Sequence, residues 1–266
     1  MSDLERLEKA AVDTHNLFQL DGKSALVIGG TKGLGQAMAL GLAAAGADVC
    51  VAGRGPAGLA ETADAISRLG RKGTSFAADV TDESRVEELM SFMKETYGGI
   101  DILVNSQGIV HLQASTEFDT AAWQRVMDVN LKSLVLTCKY AGRYMLEKKR
   151  GKIINISSVR GFQGRAEDLA YAPSKGAVNQ LTRSLAIEWG PKGINVNGIA
   201  PVFTLTAINR NLLSDPEKKN WVLSRIPMKR LGEMEDLMGP VIFLASDASD
   251  FVNGHTLPVD GGWLGA

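Results

Sequence analysis

The chain has 266 residues, 45% of them hydrophobic, and a formal net charge of −1 at pH 7. This length suits one α/β domain with a sizeable core, and no shift in composition indicates a second domain. The near-neutral charge gives no reason to expect nucleic acid or an acidic membrane surface as a partner. No apolar run approaches the ~20 residues that span a bilayer, and the polar start is no signal peptide. We therefore expect a cytoplasmic protein.

Strands and helices alternate along the chain. Strands are predicted at residues 24–28, 48–52, 74–77, 100–105, 152–157, 194–200 and 256–259. Helices are predicted at residues 36–45, 57–69, 82–97, 120–149, 169–189 and 235–245, with a helical insert at 205–224. This alternation predicts a doubly wound α/β fold with a parallel sheet and ligands at the carboxyl ends of its strands. We expect residues 1–20 to be an N-terminal extension and residues 21–266 to be one Rossmann-type domain.

A glycine-rich turn, GGTKGLG at residues 29–35, joins the first predicted strand to the first long helix. Glycine lets the backbone turn tightly and approach a pyrophosphate, whose charge then lies at a helix N-terminus. Three glycines alone could make only a tight turn, but the strand before and the helix after them predict a nucleotide site. Its candidate contacts are Gly29, Thr31, Lys32, Gly33, Leu34 and Gly35.

The end of the second predicted strand bears on the choice of nucleotide. A free ribose 2′-hydroxyl is usually bound by an acidic residue about 20 positions after the glycine motif. Here Arg54 follows the strand, and Lys32 lies in the glycine turn. Two cations suit a 2′-phosphate, which a carboxylate would repel, although both could be solvated side chains at a loop edge. The sequence predicts NADP, with NAD as the alternative.

Tyr171 and Lys175 are four residues apart in a predicted helix and therefore share one face. The Lys charge favours ionised phenol, so we expect it to lower the pKa of Tyr171 from about 10 toward neutrality. Such a phenol can exchange the proton when an alcohol and a carbonyl interconvert. A surface Tyr beside a solvated Lys is the alternative.

Several spaced motifs together resemble the short-chain dehydrogenase/reductase family, from about Leu20 to the C-terminus. They are the glycine turn, Asp79-Val80, Asn105 with Gly108, Asn130, Ser158, Tyr171, Lys175 and the segment from Pro201 to Thr206. The C-terminal motifs are closest in style to its gluconate 5-dehydrogenase and 2-deoxy-gluconate dehydrogenase members. The resemblance implies seven strands in the order 3-2-1-4-5-6-7 and a homotetramer.

The resemblance also implies roles for these residues. Ser158 would bond the substrate oxygen, Tyr171 would exchange the proton, and Lys175 would bind the nicotinamide ribose. Asn130 would hold a water that links Lys175 to solvent. The further cofactor contacts that it implies are Asp79, Val80, Asn105, Pro201, Val202, Thr204 and Thr206.

Two departures from the family pattern concern the loops. Gln107 stands where the family usually has Ala, and its longer side chain would reach the cofactor or the substrate. Val202 replaces a usual Gly, and valine does not easily adopt a positive φ, so we expect an altered path for the loop that carries Thr204 and Thr206.

The substrate is the least determined feature. Arg160 and Arg165 lie between Ser158 and Tyr171, where they could clamp the carboxylate of a sugar acid or could be surface or subunit contacts. We predict an NAD(P)-dependent enzyme that interconverts a secondary alcohol and a ketone on a sugar acid or other polyol. The alternatives are a ketoacyl- or steroid-type carbonyl reductase and a non-catalytic NADP-binding regulatory protein.

Cysteine and histidine are rare in this chain. Cys50 and Cys138 occupy apolar positions, so buried free thiols in a reducing compartment are expected. His15, His111 and His255 are too scattered to indicate a metal site, and we expect none.

Overall fold

The structure, a computed structural model, describes residues 2–205 and 215–266. Within these residues the strands form one parallel sheet of seven, in the order β3-β2-β1-β4-β5-β6-β7, which confirms the predicted fold class and strand order. The strands are β1 Ser24–Ile28, β2 Asp48–Gly53, β3 Gly73–Ala77, β4 Ile102–Asn105, β5 Gly151–Ile156, β6 Ile194–Pro201 and β7 Thr256–Val259.

Helices cover both faces of the sheet. Over the described ranges they are α1 Asp3–Val12, α2 Gly33–Ala44, α3 Pro56–Arg68, α4 Glu83–Tyr97, α5 Thr120–Met127, α6 Ser133–Lys148, α7 Tyr171–Trp189, α8 Pro216–Arg225 and α9 Met238–Ala245. Local signals begin and end several of them. Asp82 accepts a hydrogen bond from the N–H of Ser84 at the start of α4, and Gly98 ends that helix in the left-handed conformation.

The five inner strands are largely buried on both faces, whereas the edge strands β3 and β7 are partly exposed. This burial explains the apolar runs of β1, β2 and β4 in the sequence. In β1, Val27 packs with Met38 and Leu42 of α2, whereas Leu26 and Ile28 belong to the cluster on the opposite face. Each of these fully buried β1 side chains contributes roughly 1.5–3 kcal/mol to stability. The two apolar layers therefore hold the carboxyl ends of the strands in a fixed arrangement.

Three helix predictions differ from the structure. The predicted helix at 120–149 is divided by a π-helical turn, Asp128–Lys132, between α5 and α6. The predicted helix at 169–189 begins only at Tyr171, and the one at 235–245 starts as the 3-10 turn Met234–Leu237. Of the insert predicted at 205–224, residues 206–214 lie outside the described part, and α8 forms most of the rest.

A third, smaller apolar cluster lies beyond the carboxyl end of β6. Its buried members are Val159, Val202, Val222, Ile226, Leu231 and Trp263. It joins α8 and the C-terminal 3-10 turn Trp263–Gly265 to the main body of the protein.

The N-terminal extension forms α1 and the 3-10 turn Thr14–Phe18. Leu4 and Leu7 are mostly exposed, so α1 places little apolar surface in the core. In the described part of the chain, no helix combines the length and apolar character needed to span a membrane.

Candidate active site

The glycine turn after β1 leaves room for a ligand because it carries little side-chain bulk. Gly29 and Gly33 have φ angles of 82° and 64°, in the left-handed region that favours glycine. A Cβ at Gly35 would clash with the carbonyl oxygen of Gly29, so a larger residue would push the turn apart. The first N–H groups of α2 lack helical partners and face this turn. The turn therefore fits a dinucleotide pyrophosphate.

A cavity of about 470 Å³ opens at the carboxyl ends of the strands. It extends from the glycine turn after β1 to the loop after β4, where the strand order reverses, and on to the start of α7. The predicted site residues in its walls are Gly29, Lys32, Gly33, Leu34, Gly35, Gln107, Ser158, Tyr171, Lys175, Pro201, Val202 and Thr204. The structure thus brings most of the predicted nucleotide contacts and the predicted proton-transfer residues to one cavity.

Ser158, Tyr171 and Lys175 meet at the inner end of this cavity. Ser158 lies just after β5, and its hydroxyl is close enough to Tyr171, the first residue of α7, to act on the pKa of the phenol. Lys175 is 3% exposed, and its Nζ donates to the carbonyl oxygen of Ile156 at 2.7 Å. The Lys175 Nζ lies 5.8 Å from the centre of the Tyr171 ring. A hydroxyl, a phenol and an amine in this order can hold a substrate oxygen and exchange a proton with it.

The pKa of Tyr171 does not move in the direction that the Tyr-Lys spacing predicted. Burial raises it, a hydrogen bond from Ser158 opposes that rise, and the negative charge of Asp168 adds to it. Burial also lowers the pKa of Lys175 to about 8, so its charged form is less favoured than the prediction assumed. In this structure, desolvation outweighs the attraction that was expected between the two groups.

Asn130 lies in the π-helical turn between α5 and α6 and is fully buried. Its Oδ1 accepts from the N–H of Ile109 at 2.8 Å, and its Nδ2 donates to Ile109 O at 2.9 Å and to Ser174 Oγ at 3.0 Å. A Cβ at Gly108 would lie 3.5 Å from both Asn130 Oδ1 and Lys175 Nζ, so the two side chains meet at this glycine. The π turn thereby ties the loop after β4 to α7, which is a common use of such turns at functional sites.

Four predicted nucleotide contacts lie outside the cavity walls, at its outer end. The methyl group of Thr31 packs close to Gly55, which brings the glycine turn next to the loop that contains Arg54. Asp79 bonds the backbone and hydroxyl of Thr81. Although burial opposes it, these bonds and the charge of Arg54 lower the pKa of Asp79. Val80 is buried in the core cluster that contains Leu26.

Asn105 is a predicted cofactor contact whose side chain does not line the cavity. Its side chain is fully buried and faces the interior, where Nδ2 donates to Asn155 Oδ1 at 2.9 Å and Oδ1 accepts from Thr137 Oγ1 at 2.7 Å. The family motif implied a residue that lines the cofactor. The three loop residues that follow it, Ser106, Gln107 and Gly108, line the cavity.

The loop after β6 follows a path that valine can adopt. Val202 has no positive φ, is buried, and donates from its N–H to Val259 O at 3.3 Å. Thr204 is also buried and pairs with Gly232 in an isolated bridge. The prediction for Thr206 concerns a residue outside the described ranges.

The predicted substrate contacts separate into two groups. Gln107 lines the cavity; its Nε2 donates to Ser133 Oγ at 2.8 Å, while its buried Oε1 has no partner within residues 2–205 and 215–266. Arg160 and Arg165 lie outside the cavity walls, and Arg165 is exposed. A clamp of Arg160 and Arg165, one of two predictions for them, therefore stays a prediction. Arg160 lies against the rings of Phe203 and Trp263.

Sequence reasoning missed Asp168, which is 7% exposed and close enough to Tyr171 to raise its pKa. Its Oδ1 accepts from the N–H of Ala172 at 2.9 Å and so orders the first turn of α7. The preceding residue, Glu167, has a φ of 61°, a conformation that costs a non-glycine residue about 1 kcal/mol. An acidic residue before a helix is a recognisable capping signal, but its closeness to the phenol depends on this strained loop.

No group of three or more His, Cys, Asp or Glu side chains within the described ranges could hold a metal ion.

A doubly wound parallel sheet, a glycine turn at its switch point and a Ser-Tyr-Lys cluster in the adjoining cavity define an NAD(P)-dependent oxidoreductase. Comparisons with known proteins agree. The family model described as enoyl-(acyl carrier protein) reductase matches residues 29–264. The 2-dehydro-3-deoxy-D-gluconate 5-dehydrogenase of Bacillus subtilis is 44% identical over 250 residues, which cover 94% of this chain and 98% of that protein. The chain belongs to the short-chain dehydrogenase/reductase family.

Two further relatives carry related names. The gluconate 5-dehydrogenase of Gluconobacter oxydans is 37% identical over 247 residues, covering 93% of this chain and 96% of that protein. The crystal structure of a gluconate 5-dehydrogenase from Burkholderia cenocepacia, in complex with NADP and tartrate, matches with a TM-score of 0.91. It is 38% identical and covers 94% of this chain and 98% of that chain.

Proposed function

We propose that this protein is an NADP-dependent dehydrogenase that interconverts a secondary alcohol and a ketone on a sugar acid. The observation that carries the proposal is the meeting of Ser158, Tyr171 and Lys175 in the cavity that begins at the glycine turn. The substrate class is supported by relatives that are named gluconate and 2-dehydro-3-deoxy-D-gluconate dehydrogenases. The complete Ser-Tyr-Lys set argues against a regulatory protein without chemistry.

The side chains divide the reaction between them. Ser158 donates a hydrogen bond to the substrate oxygen, and Tyr171 gives that oxygen a proton during reduction or removes one during oxidation. Lys175 binds the nicotinamide ribose and supplies a positive charge next to the phenol. When bound, NADP supplies the site that accepts or donates the hydride.

The residues at the outer end of the cavity support NADP over NAD. Lys32 lies in the glycine turn, and the contact of Thr31 with Gly55 brings the Arg54 loop next to it. We propose that Arg54 and Lys32 bind the 2′-phosphate, and that Asp79 and Val80 contact the adenine. The NADP in the Burkholderia cenocepacia enzyme is consistent with this assignment.

Other wall residues are proposed to hold the nicotinamide end and the substrate. Pro201, Val202 and Thr204 form the wall after β6. The Oε1 of Gln107 is a buried acceptor without a partner among the described residues, and leaving such an atom unpaired costs about 1–3 kcal/mol. A substrate hydroxyl that donates to it would remove that cost. We therefore assign Gln107 to the recognition of a polyol.

We further propose that the protein is a homotetramer of the cytoplasm, in which residues 21–266 act as one domain. Val135 on α6 and Ile187 on α7 are apolar side chains that are 44% and 78% exposed, which suits a subunit contact through these helices. Two buried free cysteines suit a reducing compartment. Sedimentation velocity would measure the mass of the assembly.

A substrate panel tests the function. Sugar acids, ketoacyl thioesters and steroids are each offered with NADPH or NADP and with NADH or NAD, and the absorbance of the reduced cofactor is followed. We expect turnover of a sugar acid with the phosphorylated cofactor. Turnover of only thioesters or steroids would favour a carbonyl reductase of another class. Tight NADPH binding without any turnover would favour a regulatory protein.

The same assay tests the proton-transfer role. Tyr171→Phe removes the hydroxyl and is expected to lower kcat about 10²–10⁴-fold, the usual contribution of general acid–base catalysis. Its dissociation constant for NADPH should stay close to that of the wild type. Tyr144→Phe, on α6 and away from the cavity, is the matched control and should keep full activity. Wild-type kcat in Tyr171→Phe would refute the mechanism.

A further inference from the structure

Two arginines share an aromatic platform beside the reaction centre. The guanidinium of Arg160 lies 5.5 Å from the ring centre of Trp263 and 5.9 Å from that of Phe203. The guanidinium of Arg225, on α8, lies 5.2 Å from the ring centre of Trp263 and 5.7 Å from that of Trp221. We call these five residues the arginine–aromatic cluster. Stacking of this kind orders a guanidinium and leaves its N–H edge free to donate.

The platform is rigid because Trp263 is held from several sides. The side chain is 2% exposed, and its indole N–H donates to Gln163 Oε1 at 2.9 Å. Asp260 accepts from the N–H groups of Gly262 and Leu264, each at 2.9 Å, and so fixes the turn that presents the indole. The rings of Phe203 and Trp221 are 5.7 Å and 6.1 Å from that of Trp263.

The charge of the cluster is not balanced by a contacting carboxylate. Within residues 2–205 and 215–266, neither Arg160 nor Arg225 forms an ion pair, whereas Arg230 pairs with Asp236. Among the described residues, the guanidinium of Arg160 donates only to Gly164 O, at 3.3 Å. Burial lowers the pKa of Arg160, the neighbouring charges of Arg165 and Arg225 lower it further, and the charge of Asp168 opposes them only in part. Several cations within reach of one another make an anion favourable here.

The cluster adjoins the cavity on the substrate side. Arg160 follows Ser158 by two residues, its N–H donates to Ser158 Oγ at 3.1 Å, and its charge acts on Tyr171. Phe203 lies between the cavity residues Val202 and Thr204. A molecule whose alcohol carbon lies at Ser158 and Tyr171 can therefore direct its other end toward these guanidiniums.

We propose that Arg160 and Arg225 form an anion subsite that binds the substrate carboxylate, with Trp263 as its floor. This inference rests on the proposed function. It means that two arginines far apart in the sequence recognise the acid group of the substrate. The guanidinium edges form charge-assisted hydrogen bonds with the carboxylate oxygens. Gln107, in the loop after β4, bonds a hydroxyl of the same molecule. The subsite selects an acidic polyol over a neutral one with the same carbon chain.

D-Gluconate and sorbitol test this selection, because they differ at one end in having a carboxylate or an uncharged CH₂OH group. The ratio of kcat/KM for gluconate to that for sorbitol is measured in the wild type, Arg160→Gln, Arg225→Gln and Arg225→Lys. We expect the ratio to fall at least tenfold in both Gln variants, through a higher KM for gluconate. Arg225→Lys keeps the positive charge and should retain part of the preference for gluconate. Arg183→Gln, on the exposed face of α7, is the matched control and should match the wild type.

Binding without turnover gives a second readout. Gluconate is titrated against the NADPH complex while tryptophan fluorescence is followed, since Trp221 and Trp263 lie in the cluster. We expect at least a tenfold weaker dissociation constant in Arg225→Gln. Wild-type gluconate constants in both Gln variants would overturn the subsite, as would an equal loss for sorbitol. If the Gln variants sediment as a smaller assembly and keep the gluconate constants of the wild type, the two arginines form a subunit contact instead. A wild type that turns over no sugar acid would refute the proposed function itself.

Discussion

The amine of Lys175 is a buried charge whose protonation depends on folding. Burial lowers its pKa from 10.5 to about 8. Between these two values the unfolded chain holds a proton that the folded protein has released. The unfolded state then binds more protons, so the free energy of unfolding rises with pH in that window. Below about pH 8 the folded protein must hold a buried ammonium group, and this contribution to stability is absent.

Lys175→Met isolates this effect. The free energy of unfolding of the wild type minus that of the variant should increase by about 1–2 kcal/mol between pH 7.5 and pH 9.5, because one proton corresponds to ~1.4 kcal/mol per pH unit. Urea titrations at several pH values measure it. Lys132→Met, at an exposed site, should give a difference that does not change with pH. If the difference for Lys175→Met does not change with pH either, burial does not shift the pKa of this amine.

Asp168 is the second charge that bears on the proton-transfer residue. It fixes the start of α7 through the N–H of Ala172 and raises the pKa of Tyr171. The phenol therefore keeps its proton more strongly than the Tyr-Lys spacing alone indicates. The carboxylate of Asp168 therefore both bonds the first turn of α7 and raises the pKa of Tyr171, the first residue of that helix.

At the scale of elements, the glycine turn and α2 approach each other closely at Gly35. A Cβ at Gly35 would overlap the carbonyl group of Gly29, so Gly35→Ala must displace that backbone. Overpacking of this kind typically costs 1–3 kcal/mol. We expect Gly35→Ala to weaken NADPH binding at least tenfold and to lower the free energy of unfolding, as measured by fluorescence titration and urea denaturation.

Gly239→Ala is the matched control for this unit. Gly239 lies in α9, and a Cβ there meets nothing within 4 Å. Alanine is the better helix former by about 0.8–1 kcal/mol, so this variant should be as stable as the wild type or more stable. Its NADPH dissociation constant should not change. Equal NADPH binding by both variants would mean that the close approach at Gly35 does not matter for the nucleotide.

The division of α5 and α6 by a π turn is another effect at this scale. The residues from 120 to 149 have the composition of one long helix, and the backbone remains helical throughout. The extra residue in the turn lets the Asn130 side chain bond both backbone groups of Ile109. Helical periodicity could not reveal it, because the stabilising partner lies in a loop that is distant in the sequence.

At the scale of the whole molecule, the two core layers protect both cysteines. Cys50 and Cys138 are buried in the same cluster, and burial raises their pKa values to about 11 and about 12. The thiolate is the reactive form, so neither should react while the protein is folded. Exposure requires opening of the main sheet, whose free energy approaches that of global unfolding.

Alkylation by iodoacetamide at pH 8 measures this protection. We expect both thiols to react at least 10³-fold more slowly in the native protein than in urea, given the usual stability of such domains. Ser91→Cys, at an exposed position of α4, should react rapidly in the native state. Rapid native labelling of Cys138 would contradict the described packing of α6 against the sheet.

Much of this architecture was predictable from the sequence. Continuous apolar runs indicate strands covered on both faces, and the GGTKGLG turn has strict conformational requirements, so the nucleotide end of the cavity could be predicted. The order of the strands came from the family resemblance. The family motif that contains Asn105 does not say which way its side chain faces. The structure turns that side chain toward Asn155 and Thr137 in the interior.

The sequence by itself determined the α/β fold class and the glycine turn, because both depend on interactions between residues close together in the chain. It also placed Tyr171 and Lys175 on one helix. Only the tertiary structure decided the pKa direction of Tyr171, the partners of Asn105 and Asn130, and the approach of Arg160 and Arg225 to Trp263. Burial and electrostatic interaction depend on distance in space, and these groups come from segments that only the folded sheet brings together.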